Sequence, residues 1–311
     1  MTSIDRNPAS PALRTVTSST PAEKKPVPVS GGPAPLPATT GARGDGFETA
    51  GASRGGPVNK LLGGIFGGGD KKYDGVLVGA KGATFPPGTP LSQVPGVTPR
   101  DNAHPSETLL FVNGINNTKD KQFASMQQLA DRTGAKVIGV HNATEGMVAD
   151  LAQCVTDKLD KGKNPAVDTM ADTVYAELKA GRGVHLMAHS QGALVTSRAL
   201  NDVANRLRIE DGLSSAQVEK AMSKIKVETF GGAAAHFPDG PQYVHYVNKN
   251  DLVPTWFGQG DGDGVDEWAR DGGKGAVIRR FEQGSGIEGT HSFDNVYLKQ
   301  RVPFEQARAG H

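Results

Sequence analysis

A serine, an aspartate and a histidine, met in that order along the chain, are the residues best placed to do chemistry. Ser190 lies in Ala188-His189-Ser190-Gln191-Gly192. Before it runs an apolar stretch, 184–187; after it Ala193, Leu194, Ala199 and Leu200 are the apolar positions of a helix. Strand, small residue, serine, small residue, helix is the context of a nucleophile elbow. Such a turn lifts the hydroxyl above a sheet edge and aims the next N–H at a bound carbonyl oxygen. Gln191 would supply that N–H. The pattern reads A-x-S-x-G, so Ala188 adds one methyl where glycine is usual. The plain alternative is an ordinary serine in a strand–helix turn.

Asp251 follows the strand-like run 243–247, at the sheet edge where catalytic groups gather, and could hold a histidine in the right tautomer. The same position suits a helix N-cap just before Pro254. His291 is the base left after elimination. His104 and His141 precede the serine, His185 and His245 fall within strand-like runs and read as packed residues. His189 is too close in sequence to take the Ser190 proton; His236 follows the 227–230 strand and His311 is terminal. His291 is expected on a loop before a short helix over 293–298. Asp261, Asp263 and Asp266 half-match a calcium loop, but the turn glycine is misplaced and the closing glutamate is missing. They read as solvated, and no metal site is expected.

These residues need a scaffold, and the pattern from about Gly75 onward supplies one. Strands are expected over 76–78, 109–112, 136–140, 184–187, 227–230, 243–247 and 276–281. Helices are expected over 119–132, around Met147–Leu159 and Met170–Leu178, after the elbow, and from a Ser214 or Ser215 cap to Lys224. A Pro/Gly-rich loop would fill the interval to Pro105. Strand–helix alternation of this kind predicts an α/β protein, a mostly parallel sheet with helices on both faces.

Composition sets the outer limits. The chain has 311 residues, of which only 36% are hydrophobic while 41 are glycine and 20 proline, so part of it is expected to stay unfolded. That part is residues 1–72, a Pro/Ser/Gly-rich tail with nine Lys or Arg against five Asp or Glu and no periodicity. Residues 73–311 form the second expected region, the folded domain. The tail lacks a basic start followed by an apolar run, which points to a cytoplasmic protein or to secretion without a cleavable signal. Its Leu61-Leu62-Gly63-Gly64-Ile65-Phe66 knot suits a loosely docked linker or a weak membrane contact. Gly64–Lys71 lacks the Gly-Lys-Ser/Thr ending of a phosphate loop. The one cysteine, Cys154, excludes an internal disulfide. A net charge of +1 makes no case for a nucleic-acid partner.

From Leu109 onward the chain resembles the α/β-hydrolases, and within them is most similar to class 3 (fungal-type) lipases and related bacterial lipase-like proteins. Three pieces carry the likeness: the elbow; Val227-Glu228-Thr229-Phe230-Gly231 with the later Asn248-Lys249-Asn250-Asp251-Leu252-Val253-Pro254; and Gly289-Thr290-His291-Ser292-Phe293. The resemblance implies a Ser190-His291-Asp251 triad, in the chain order of that superfamily. It places the second oxyanion donor in the loop after the 109–112 strand, at Ile115, with Asn116 as a substitute because the loop wording differs. It implies hydrolysis of carboxylic esters through an acyl-enzyme, with no cofactor. Lipid or phospholipid esters lead as substrates; Trp256 and Phe257, just past the acid, suit an acyl chain, a membrane surface, or merely a covered apolar patch. The segment 141–164 could form a lid. Two other readings stay open: a thioesterase or acyltransferase with the same triad, and a signal-less bacterial effector using the fold as an interaction scaffold. Oligomeric state is not legible.

Overall fold

Most of the parallel strands of this protein are short runs buried along nearly their whole length, and that feature sets the architecture of the computed structural model. It describes residues 71–115, 117–143, 164–261 and 270–310. The expected tail up to residue 70, the 144–163 segment with Cys154, Asn116, Asp263, Asp266 and His311 lie outside the described residues, while Lys71 and Lys72 belong to a short 3-10 turn.

Eight strands are described: β1 (Leu77–Val78), β2 (Thr84–Phe85), β3 (Thr108–Val112), β4 (Lys136–Val140), β5 (Val184–His189), β6 (Ile225–Phe230), β7 (Gln242–Asn248) and β8 (Val277–Phe281). They form one sheet in the order β2-β1-β4-β3-β5-β6-β7-β8. From β4 to β8 every pairing is parallel. The β1 strand runs antiparallel to both β2 and β4, closing one edge. The α/β, mostly parallel architecture expected from the alternation is the one observed. The loop expected to run unbroken to Pro105 instead holds β2. Two residues are too few to show a period, so nothing in the sequence marks that strand.

The helices are α1 (Lys119–Thr133), α2 (Pro165–Lys179), α3 (Gly192–Ile209), α4 (Ser215–Met222), α5 (Leu252–Phe257) and α6 (Gly286–His291), then a π-helical turn over Phe293–Tyr297, α7 (Leu298–Gln300) and α8 (Phe304–Arg308). Their ends follow local chemistry. Thr118 caps α1 by accepting from the Lys121 N–H, and Gly134 closes it in the left-handed region. Asn164 caps α2, with Pro165 at its first position. Ser214 and Gln217 make a reciprocal capping box on α4.

Alternation along β3 shows how both faces are covered. Leu110 and Val112 join a core with residues of α2, α3 and α4, among them Met170, Val195 and Met222. Leu109 and Phe111 join the opposite core, with Met126 and Leu129 of α1 and with Phe293, Tyr297 and Phe304 of the C-terminal segment. Each fully buried Leu or Val is worth roughly 1.5–3 kcal/mol. Exposed ion pairs such as Arg100–Asp131 are worth about 0–1 kcal/mol, so the two cores hold the sheet.

Candidate active site

Ser190 sits between the end of β5 and the start of α3 with φ at 57°, a conformation that a residue carrying a side chain rarely adopts. Backbone hydrogen bonds across to neighbouring segments hold the strained turn. The Ser190 N–H donates to the Phe230 carbonyl at 3.0 Å, and its carbonyl accepts from the Ala233 N–H at 2.9 Å. Gly192 must be glycine: a Cβ there would stand 2.5 Å from the Val112 carbonyl oxygen. Ala188 is fully buried in the sheet, where its extra methyl fills core space.

The three expected residues come together from elements far apart in sequence. His291 Nε2 lies 2.9 Å from Ser190 Oγ, and His291 Nδ1 lies 2.6 Å from Asp251 Oδ2. Asp251 has just left β7 and is 1% exposed. The N-cap reading of Asp251 is observed, and its two oxygens have different partners. Oδ1 accepts from the Val253 N–H and caps α5, while Oδ2 faces the imidazole. His291 is not on a loop as expected but closes the short helix α6, and a π-helical turn replaces the helix expected over 293–298.

Two neighbours escaped the sequence reading. The Tyr297 hydroxyl donates to the same Asp251 Oδ2 at 2.6 Å and accepts from the Asn248 N–H at 3.3 Å. Burial, then the Asp251 charge, push that phenol far above the ordinary tyrosine range, so it is a donor at any working pH. Gly231, at φ 55°, makes room, since a Cβ there would reach within 2.8 Å of the Tyr297 ring. His189 donates from Nε2 to the backbone carbonyl of His291 at 2.9 Å, and the two rings lie 4.8 Å apart. Burial, and next the charge of His291, push the His189 pKa well below the usual value, leaving it a neutral tether.

Comparisons with known proteins add little to this geometry. No family model matches the chain, and no curated protein does. Two solved structures are similar to it at low identity. One is RedJ, a thioesterase from the prodiginine biosynthetic pathway of Streptomyces coelicolor, at 15% identity and a TM-score of 0.35, over 67% of this chain and 86% of that one. The other is RedJ with a PEG molecule bound in its active site, at 15% identity and a TM-score of 0.33, over 68% and 90%.

Around Ser190, Gly114 comes so near that a Cβ would lie 2.8 Å from Ser190 Cβ. Gln191, 2% exposed, stands at the N-terminus of α3, where backbone N–H groups lack helical partners. Ile115 follows Gly114 and packs with Ala233, Val253 and Phe257 in a small apolar cluster. The expected aromatic pair is split. Phe257 belongs to that cluster, whereas Trp256 is 52% exposed and shares a helix face with Leu252, four residues earlier.

The rejected candidates have other occupations. Asp261 is paired with Arg280 at 2.6 Å. His245 is held between the Thr229 hydroxyl and the Gly272 carbonyl, and burial pushes its pKa down to about 4. Among the described residues no group of three or more His, Cys, Asp or Glu could hold a metal, and no helix is long and apolar enough to cross a membrane.

Proposed function

We propose that this protein is a serine hydrolase of carboxylic esters, acting through Ser190, His291 and Asp251. One observation carries the reading: the continuous hydrogen-bonded chain Asp251 Oδ2–His291–Ser190 Oγ, ending on a serine held at positive φ. Strain of that kind persists only where the surrounding structure enforces it, and an ordinary turn serine needs none.

In this reading His291 Nε2 takes the Ser190 proton as Oγ attacks the ester carbonyl carbon. Asp251 holds the Nδ1–H and stabilises the imidazolium. The tetrahedral oxyanion is met by the N–H groups of Gln191 and Ile115. His291 returns its proton to the departing alcohol, leaving an acyl-enzyme. Water, deprotonated by the same nitrogen, then releases the acid and restores Ser190. The chain's own residues suffice for every proton.

The apolar cluster of Ile115, Ala233, Val253 and Phe257 supports an apolar acyl group, and the exposed Leu252 and Trp256 support a lipid or phospholipid ester presented at the rim. That is the substrate class of the class 3 lipases which the motifs resemble. Purified protein offered p-nitrophenyl esters of increasing chain length should hydrolyse them, with kcat/KM rising from acetyl to medium chains. Acyl thioesters in the same panel separate a thioesterase from an esterase. Folded protein that turns over none of these counts against the enzyme reading and for an interaction scaffold.

A further inference from the structure

Three buried amide side chains link the nucleophile's turn to the ends of two neighbouring strands. Asn113 follows β3, Asn142 lies just beyond β4 and Gln191 follows Ser190; all are 2% exposed or less. Asn113 uses both Nδ2 hydrogens, on the Gly114 and Asn142 carbonyls, each at 2.8 Å. Its Oδ1 accepts from the Asn142 N–H at 2.9 Å. Asn142 Nδ2 then reaches Gln191 Oε1 at 2.8 Å and the Asn113 carbonyl at 3.4 Å. Asn117 adds a longer contact, 3.4 Å, to the Gly114 carbonyl.

We propose that Asn113 and Asn142 are positioning residues that set the two oxyanion donors, a proposal that rests on the serine-hydrolase reading. Among the described residues no peptide bond is cis, so the Gly114 carbonyl and the Ile115 N–H point in opposite directions. Asn113 draws that carbonyl into the amide cluster, and the Ile115 N–H is therefore turned away from it. Gly114 itself lies against Ser190, so the turned peptide is held beside the nucleophile. On the other side, Asn142 fixes the Gln191 side chain, which steadies the backbone N–H of the same residue. A buried amide left without its partner is costly, so the network has one low-energy arrangement. Donors fixed before reaction need no reorganisation when charge develops on the substrate oxygen.

The test uses the full-length protein with Asn113→Asp and Asn142→Asp, which keep the shape but remove the donors. Loss of one oxyanion donor lowers kcat by about 10²–10³. Misalignment should therefore lower kcat by roughly 10–10²-fold, with KM within about twofold. An alkyl boronic acid, whose Ser190 adduct places a boron oxygen where the oxyanion forms, should bind more weakly in proportion. A merely structural role would lower the melting temperature and leave both readouts alone. Should either variant fail to fold, Gln191→Met, which breaks only the contact to Asn142, is read the same way. Wild-type kcat in a folded Asn113→Asp protein, or a fall in kcat without weaker boronate binding, overturns the proposal alone. Wild-type protein that takes no fluorophosphonate at Ser190 overturns the hydrolase reading and this proposal with it.

Discussion

Among the described residues, His291 and His185 each have both ring nitrogens bonded to other side chains, yet the partners leave only one of the two a lone pair to offer. His291, at the ends of the strands where the elbow lies, has Asp251 on Nδ1 and the Ser190 hydroxyl on Nε2. His185, on β5 five residues before the nucleophile, has Glu107 on Nδ1 at 2.7 Å and Glu228 on Nε2 at 2.9 Å. Arg301 forks onto Glu228 from the C-terminal segment, at 2.9 Å at its nearest. Burial, the largest single influence on His185, works to lower its pKa. The hydrogen bonds to the two glutamates and their charges outweigh it, and the value rises above the ordinary one. Glu107 is lowered in turn, chiefly by its hydrogen bond to His185, against the opposing effect of its partial burial. With carboxylates on both sides an imidazole must donate twice, so it stays charged and has no lone pair to offer. A hydroxyl on one side is what turns the same ring into an acceptor. His185 is therefore a charged clamp between two carboxylates.

The sharpest way to break this contrast is to remove each ring. Ser190→Ala and His291→Ala should each abolish ester turnover, and the double variant should be little worse than either, because the groups act as one unit. His185→Gln should leave kcat at neutral pH within about twofold while costing the fold roughly 1–3 kcal/mol by denaturant titration. Equal losses of activity from both histidines would erase the distinction.

Next in size is the acid. Asp251→Asn should keep the α5 cap through its side-chain oxygen and lower turnover by about 10⁴, as in the comparable serine-protease substitution. A fully active variant would move the acid's role elsewhere, with Asp261 the next residue to change.

The clamp also predicts a pH dependence of stability. A histidine whose folded pKa is raised stabilises the fold fully below its unfolded pKa, about 6.5, and that contribution disappears as pH rises through the folded value. The stability difference between wild type and His185→Gln should therefore be largest in mild acid and shrink toward alkaline pH. Glu107, Glu228, Arg301 and the nearby Lys226 are the charged groups around it. A difference that grows with pH would show that the ring is neutral in the fold.

The smallest effect is expected at Tyr297. Its hydroxyl shares Asp251 Oδ2 with His291 and draws negative charge from the oxygen that supports the imidazolium. Tyr297→Phe should lower kcat only a few-fold in steady-state kinetics, with KM unchanged. An unchanged kcat would make Tyr297 a packing residue.

What was legible in the sequence is what local pattern encodes. The apolar run, the serine between small residues and the helix beyond it marked the strand–turn–helix around Ser190, and the strand before Asp251 marked where that carboxylate leaves the sheet. The parallel sheet followed from alternation. Contacts that depend on distant segments left no such trace. Tyr297 reaches Asp251 because a π-helical turn carries it there and Gly231 leaves space. His189 was set aside as too close to Ser190 to be the base, yet the same closeness lets it hold the His291 backbone. Asn113 and Asn142 look like ordinary loop residues until β3 and β4 are seen to be neighbours.

The central claim is that Ser190 is an activated nucleophile and His291 its base. Incubating the purified full-length protein with a fluorophosphonate and locating the adduct by peptide mass spectrometry tests it most directly. The account predicts one adduct, on Ser190, formed at wild-type rate in His185→Gln and suppressed in His291→Ala. No adduct on folded wild-type protein at any pH, or an adduct that survives His291→Ala unchanged, would contradict it.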